Sequence, residues 1–443
     1  MIILKKILFW FLLILSVNQV IILTRFNGAF YVKGLIGIVL TLFYFFYNFN
    51  PRTTEYPAEK LTKLSACYDI LQASAVVFSV QALIYLSIIT IYPIHWVIFL
   101  TNFAVSLLLC YFLVINGLIR SFTISRQIGL LLRIALLSFW WMPFFNSIFS
   151  TFAAVKIKQE LIFDNQKYVL NQKRKEKQVC KTKYPIVMVH GIFFRDWEIF
   201  NYWGRIPEAL EDNGAQIFYG EHESSIPVEQ AAIQIRDKIL SILAQTGANK
   251  VNIIAHSKGG IDSRYAISVL GLAPYVASLT TINSPHYGSD LAGRVLSMTP
   301  EKIVTKIGNK YSNIFMRLGD TQCDFVESIK ELTPERCGQL NRKMTDSPDV
   351  YYQSVGSSLK SRRSASFPLN LGYALIKPIA GDNDGLVATK SMQWGNFLGI
   401  LRPKGKIGIS HSDMIDLSRK NIKGFDVMEF YVQMLSELKE KGY

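Results

Sequence analysis

Ten residues, Val251–Gly260, read VNIIAHSKGG and constrain the chain more than any other stretch. Val251–Ile254 has the composition of a buried strand. It runs into Ala255-His256-Ser257-Lys258-Gly259-Gly260, and Ile261–Ile267 then carries apolar residues at helical spacing. The pattern predicts strand, sharp turn and helix, with Ser257 at the apex. Strand and helix nearly touch at such a turn, so the residues two before and two after the apex must be small. Ala255 and Gly259 meet that requirement. A tight turn with an ordinary helix-capping serine would look similar in isolation. The surrounding stretches decide between the two readings.

Strand and helix patterns alternate on both sides of this turn. Tyr184–Val189 is a continuous apolar run, as expected of a strand covered on both faces. Tyr202–Asn213 reads as a helix closed by Gly214, Ala215–Tyr219 as a strand, and Pro227–Gln245 as a helix closed by Gly247. The elbow helix covers Lys258–Leu270, and Val276–Ile282 is the next strand. Repeated βα units of this length predict an α/β fold, a doubly wound and mostly parallel sheet with helices on both faces. Asp290–Asp346 breaks the rhythm with helical stretches such as Glu301–Lys310 and Phe325–Leu332. A helical insertion over about 290–346 is expected, either a structural cap or a lid over the site. Strands are expected again at Val350–Val355 and Leu375–Ala380.

The first third is different. Lys5-Lys6 followed by Ile7–Leu23 resembles a signal peptide without its small-residue cleavage site, so a retained membrane helix is expected. Further spans are expected at Gly34–Phe49, Asp69–Tyr92, His95–Ile119 and Ile128–Val155; a hydrocarbon core of about 30 Å takes roughly 20 residues. Three regions follow: a transmembrane helical domain over 1–155 with about five spans, a basic linker over 156–183, and a catalytic domain over 184–443. With the N-terminus inside, Lys5, Lys6, Arg52, Lys60, Lys63, Arg120 and Arg126 fall on inner flanks and Arg25 and Lys33 outside. Five spans then place the C-terminal domain outside the cell membrane; Lys156–Lys183 oppose that orientation.

Charge follows the same division. Residues 1–155 hold ten Lys or Arg against three acids, 156–183 nine against three, and 184–443 are nearly neutral. A nucleic-acid partner needs a basic folded face, and none is expected. The linker, with KRKEK at its centre, reads as a solvated tether, with contact to anionic headgroups as the alternative. Cys323 and Cys337 could pair if their segment is extracellular, and no Cys/His spacing suggests a metal site.

A serine hydroxyl needs a base in hydrogen-bond reach, and the base needs an acid to fix its tautomer. Of six histidines, His256 adjoins the serine and is expected to pack away from it. His222 and His286 follow strands and could reach a cleft rim. His411, in Ile409-Ser410-His411-Ser412-Asp413, is the only one C-terminal to every candidate acid. Gly381-Asp382-Asn383-Asp384-Gly385 is turn-rich sequence of the kind that carries functional groups at strand ends. Asp384 is the preferred acid and Asp382 the alternative. The order Ser257, Asp384, His411 is that of the α/β-hydrolase architecture. The N–H of Lys258 and that of Ile192, in the Val189-His190-Gly191-Ile192 loop, are expected to bind an oxyanion. Phe193, Phe194 and Trp197 could line an acyl pocket.

His190-Gly191-Ile192, Ala-His-Ser-x-Gly-Gly, Asn283-Ser284-Pro285-His286-x-Gly288, Asn383-Asp384-Gly385-Leu386-Val387 and His411-x-Asp413 occur in the order seen in bacterial triacylglycerol lipases. Over about 184–430 the chain resembles the group that includes the Pseudomonas and Burkholderia enzymes. Its elbow alanine is similar to that of clostridial and bacillar members. The resemblance implies Ser257, Asp384 and His411 as the triad and Ile192 and Lys258 as oxyanion donors. Several such relatives bind calcium through an Asp two residues after the histidine, which Asp413 matches, and another upstream of the triad Asp. No acid occurs between Asp349 and Asp382, so no cofactor is expected here. The expectation is a membrane-anchored serine hydrolase acting on lipid or other carboxylic esters. Acyl transfer, thioester cleavage, or a non-catalytic binding module on the same fold are the alternatives.

Overall fold

The computed structural model describes residues 2–91, 95–192, 202–223, 225–298, 302 and 324–443. The chain divides into two compact units, Met1–Gln172 and Lys173–Tyr443.

The first unit is helical: α1 (Ile2–Val17), α2 (Gln19–Arg25), α3 (Phe30–Phe49), α4 (Glu59–Ile91), α5 (Trp96–Ile124), α6 (Leu130–Phe139) and α7 (Pro143–Arg174), whose last two residues belong to the second unit. Among the described residues three helices are long and apolar enough to cross a membrane, or four if the bent pair α1–α2 is one span. Two of the five expected spans therefore differ from a straight helix. Ile7–Leu23 bends by 72° between α1 and α2. The Asn18 and Gln81 side chains exchange hydrogen bonds of 2.7 and 2.9 Å there, and Asn102 Oδ1 accepts from the Ile21 N–H at 3.3 Å. A broken helix in apolar surroundings needs such partners for its freed backbone groups. Ile128–Val155 is interrupted between Phe139 and Pro143. Pro143 sits where a proline is favoured, at a helix start, and Asn146 Nδ2 donates to the Trp140 carbonyl at 2.9 Å.

The stretch 156–183 is not a free tether. It stays helical through Arg174, whose guanidinium pairs with both carboxylate oxygens of Glu429. Beyond it Cys180 is fully buried, and the Lys183 N–H donates to the Tyr443 carbonyl at 2.9 Å.

Among the described residues of the second unit six strands form one parallel sheet in the order β2-β1-β3-β4-β5-β6. They are β1 (Ile186–Val189), β2 (Ile217–Tyr219), β3 (Val251–His256), β4 (Val276–Ile282), β5 (Tyr351–Ser357) and β6 (Asn396–Leu401). Every residue of β1, β3 and β4 is buried, which explains the unbroken apolar run of β1. Buried polar side chains of the other two pair with each other, Ser278 Oγ donating to Asn252 Oδ1 at 2.7 Å. The helices are α8 (Ile206–Glu211), α9 (Val228–Thr246), α10 (Lys258–Ser268), α11 (Asp290–Met298), α12 (Phe325–Lys330), α13 (Pro334–Lys343), α14 (Leu369–Ala380) and α15 (Val427–Glu440). Val228, Ala232, Ile235, Ile239 and Ile242 of α9 pack with Ile261 and Ile267 of α10 on the sheet.

Leu375–Ala380, expected as a strand, is the second half of α14. Its apolar residues serve a helix face, with Gly372, Tyr373 and Ile376 buried at helical spacing. Pro378 would have removed a ladder hydrogen bond from a central strand. The strand that completes the edge is instead β6. The expected helix Glu301–Lys310 lies outside the described residues.

Candidate active site

In this strand order the chain reverses direction across the sheet at β1 and β3. Open parallel sheets place their ligands at the carboxyl ends of the strands flanking such a point. The loop after β1 carries His190-Gly191-Ile192, and the turn after β3 carries Ser257.

Ser257 has φ 55 and ψ −129, a backbone conformation that only an enforced turn gives a serine. Its N–H donates to the Ile282 carbonyl at 3.0 Å, which pins the apex to β4. The steric requirement read from the sequence is visible at Gly259, where a Cβ would stand 2.3 Å from the His190 carbonyl oxygen. At Gly191 a Cβ would come within 2.7 Å of the Ser257 Cβ. The two loops are therefore in contact. Ile192 and Lys258 are both buried beside them. Lys258 opens α10, so its N–H has no carbonyl four residues back and faces the turn. Its side chain points elsewhere, with Nζ 2.8 and 3.0 Å from the Asp262 carboxylate oxygens. Phe193, Phe194 and Trp197 lie outside the described residues.

Asp384 is fully buried in the turn after α14. One carboxylate oxygen accepts from the N–H groups of Leu386 and Val387 at 2.9 and 2.8 Å. The other accepts from Asn283 Nδ2 at 2.7 Å and lies 2.6 Å from His411 Nδ1. The His411 N–H also donates to the Asp384 carbonyl at 3.0 Å. His411 Nδ1 thus carries a proton, and Nε2 is left as the basic nitrogen. Asp382, the alternative acid, is half-buried and paired with Lys377 and Arg402; it touches no histidine among the described residues. Among those residues the Ser257 hydroxyl makes no hydrogen bond, and Ser257 is 5% exposed.

His256 was expected to serve packing, and does more. Its Nε2 lies 3.2 Å from the His411 carbonyl oxygen and its Nδ1 2.6 Å from the Tyr202 hydroxyl. Its ring centroid is 4.5 Å from that of His411. Burial first, and then the neighbouring His411, hold His256 well below the ordinary histidine range. It is neutral, with Nε2–H donating to the carbonyl and Nδ1 accepting from tyrosine. His222 and His286 do not reach a cleft rim. His222 stacks on His190 at 3.9 Å between centroids, and His286 is buried against Thr281 Oγ1 at 2.9 Å.

Asn283, which fixes Asp384 from the end of β4, also donates to Ser357 Oγ at 2.7 Å and has φ 49. Its position directly after a buried strand was the available signal. Asp413, expected from the resemblance as a cation ligand, belongs to no cluster of three or more His, Cys, Asp or Glu among the described residues. Its Oδ2 accepts from Ser410 N–H and Oγ at 2.8 and 2.6 Å, and Asp382 is occupied by two cationic side chains.

The sequence matches the model of the class 2 lipase family over residues 183–280. It is 29% identical over 286 residues to a Vibrio cholerae triacylglycerol lipase, covering 59% of this chain and 89% of that one. A Pseudomonas fragi triacylglycerol lipase is 27% identical over 297 residues, 59% of this chain and 98% of its own. A crystal structure of a Bacillus licheniformis lipase in mature form aligns at 20% identity and a TM-score of 0.42, over 57% of this chain and 92% of that one. From about residue 183 onward, this chain is similar to bacterial triacylglycerol lipases, a likeness that supports a carboxylic ester hydrolase on the α/β-hydrolase fold.

Proposed function

We propose that Ser257, His411 and Asp384 form the triad of this ester hydrolase, and that the apolar helices of the first unit anchor it in a cell membrane with the second unit outside. The observation that carries the triad is the 2.6 Å contact of Asp384 with His411 Nδ1, beside the turn that strains Ser257. His411 Nε2 takes the proton of the Ser257 hydroxyl as the oxygen attacks the ester carbonyl. The Ser257–His411 hydrogen bond this step needs forms when substrate closes the site, since catalytic contacts are commonly long or unmade without substrate. Asp384 stabilises the imidazolium without taking its proton. The N–H groups of Ile192 and Lys258 bind the oxyanion of the tetrahedral intermediate. Its collapse breaks the ester C–O bond, and His411 delivers the proton to the leaving alcohol. Water activated by the same nitrogen then releases the carboxylic acid and restores Ser257. No step draws on a metal or cofactor.

The substrate class we assign is a lipid ester, with Phe193 and Phe194 proposed to meet the acyl chain and the segment 290–346 proposed as its cover. A membrane anchor suits a substrate that lives in a bilayer. A fluorophosphonate probe tests the triad. Labelling of the full-length protein should vanish in Ser257→Ala, with ester turnover down by roughly 10⁴-fold or more. Unchanged labelling in that variant overturns the assignment. Hydrolysis measured over esters of increasing chain length tests the substrate class.

A further inference from the structure

The near neutrality of residues 184–443 conceals a local imbalance. Residues 350–412 contain eight Lys or Arg against only Asp382 and Asp384. Asp384 is buried on His411, and Asp382 is taken by Lys377 and Arg402. Arg362, Arg363, Lys404 and Lys406 are exposed and make no ion pair among the described residues. They share one face. The Lys360 ammonium donates to the carbonyls of Pro403 and Gly405 at 2.8 and 2.5 Å, which joins the 360–364 segment to the 402–406 turn. Tyr373 of α14 reaches the Lys360 carbonyl at 3.4 Å.

The same face carries apolar side chains. Phe367 is 79% exposed and Leu371 44%. One exposed apolar side chain is ordinary; two together among unpaired cations combine the features of an interfacial contact. The face also adjoins the site. A Cβ on Gly372 of α14 would stand 1.9 Å from the Gly385 carbonyl, in the turn that holds Asp384. The Leu359 N–H donates to the Asn383 carbonyl at 2.9 Å.

We infer that this face, with Phe367 and Leu371 inserted and Arg362, Arg363, Lys404 and Lys406 around them, docks on an anionic phospholipid bilayer beside the turn that holds Asp384. The occupant follows from the chemistry. Cations without acidic partners attract negative headgroups, and apolar side chains among them enter the acyl boundary. A nucleic acid would satisfy the cations and leave Phe367 and Leu371 without an apolar partner. The inference adds to the ester-hydrolase reading a means of presenting a lipid substrate, and in that sense rests on it.

The test uses the full chain reconstituted in phosphatidylcholine vesicles with or without phosphatidylglycerol. A bimane label is placed at Phe367→Cys in a Cys323→Ser background. Its emission should shift to the blue and be quenched by nitroxide lipids in the anionic vesicles only. About 0.5 M salt should reverse this, since it shortens the screening length to a few ångströms. Arg362→Glu with Arg363→Glu should weaken docking by more than tenfold, while turnover of a soluble short-chain ester stays as in wild type and reports an intact fold. The salt titration needs no charge variant and reads docking even if that variant does not fold. A label that stays in water in both vesicles, equal quenching in both, or an oligonucleotide bound by this face without lipid quenching overturns the inference. Failure of the hydrolase reading would show separately, as no short-ester turnover in a wild type that still docks.

Discussion

The Tyr202 hydroxyl stands 2.6 Å from His256 Nδ1 and accepts from the Gly191 N–H at 3.1 Å. One oxygen therefore ties the loop after β1 to the turn after β3, and the His256 ring passes the tie on to the His411 backbone. The loop after β1, the turn that carries Ser257 and the segment that carries His411 are three distant pieces of chain, and this contact joins them from behind. Tyr202→Phe keeps the ring and removes both hydrogen bonds. A buried donor and acceptor left without this partner cost about 1–3 kcal/mol of stability. Turnover of a short soluble ester should fall by roughly tenfold with KM little changed, because geometry and not substrate contact is lost. Steady-state kinetics together with denaturant melts check this; a loss of stability with kcat intact would confine Tyr202 to a packing role.

Acid sensitivity follows from two buried rings. Burial, followed by His411 for His256 and by Arg264 for His286, keeps both well below the ordinary histidine range. In the unfolded chain each takes up a proton below about pH 6.5. The unfolded state then binds more protons, so stability present above that pH is lost as the pH falls. Asp262 acts in the opposite direction. Burial raises its carboxyl to about 6, so between roughly pH 4 and 6 the folded state holds a proton that the unfolded chain has released. The difference between two proteins isolates one ring. His286→Gln should flatten the pH dependence below 6.5 by about 1.4 kcal/mol per pH unit. Urea unfolding from pH 4.5 to 7.5 reads it, and equal slopes in the two proteins would contradict it.

The parts of this architecture that depend on neighbours in sequence were legible before any coordinates. Buried strands advertised themselves as apolar runs, and the crowding at Gly259 imposed small residues that any reader of the elbow can see. Contacts between distant segments were not legible in this way. Asp384 could be preferred to Asp382 only by its place in a turn, whereas the structure separates them by partners, a buried imidazole for one and two surface cations for the other. His256 looked like packing because its partners, Tyr202 and the His411 carbonyl, lie 54 and 155 positions away. The helix α14 was misread as a strand for a related reason. Six residues of apolar sequence fit either element, and only the burial of Gly372 and Tyr373 upstream declares a helical face. The basic face around Arg362 was hidden by averaging, since acids elsewhere in the unit cancel it in the total.

Lys258 is asked to act through its backbone while its side chain does something else. Its ammonium and the Asp262 carboxylate form an i,i+4 pair on α10 that is almost wholly excluded from water, at 2% and 1% exposure. Taking two charges out of water is costly, and their attraction only roughly offsets that cost. Removing one partner leaves the other uncompensated, so Asp262→Asn should lose about 3–5 kcal/mol. Replacing both by apolar residues of similar volume, Lys258→Met with Asp262→Leu, should recover most of that loss. The N–H of residue 258 is unchanged by the exchange. If it is the oxyanion donor, the double variant should hydrolyse a short ester at nearly the wild-type kcat despite having no charge at either position. Unfolding curves and kinetics on the same preparations decide the matter. A double variant as stable as wild type but inactive would mean that the ammonium itself takes part in the reaction, and the separation of backbone from side chain would fail.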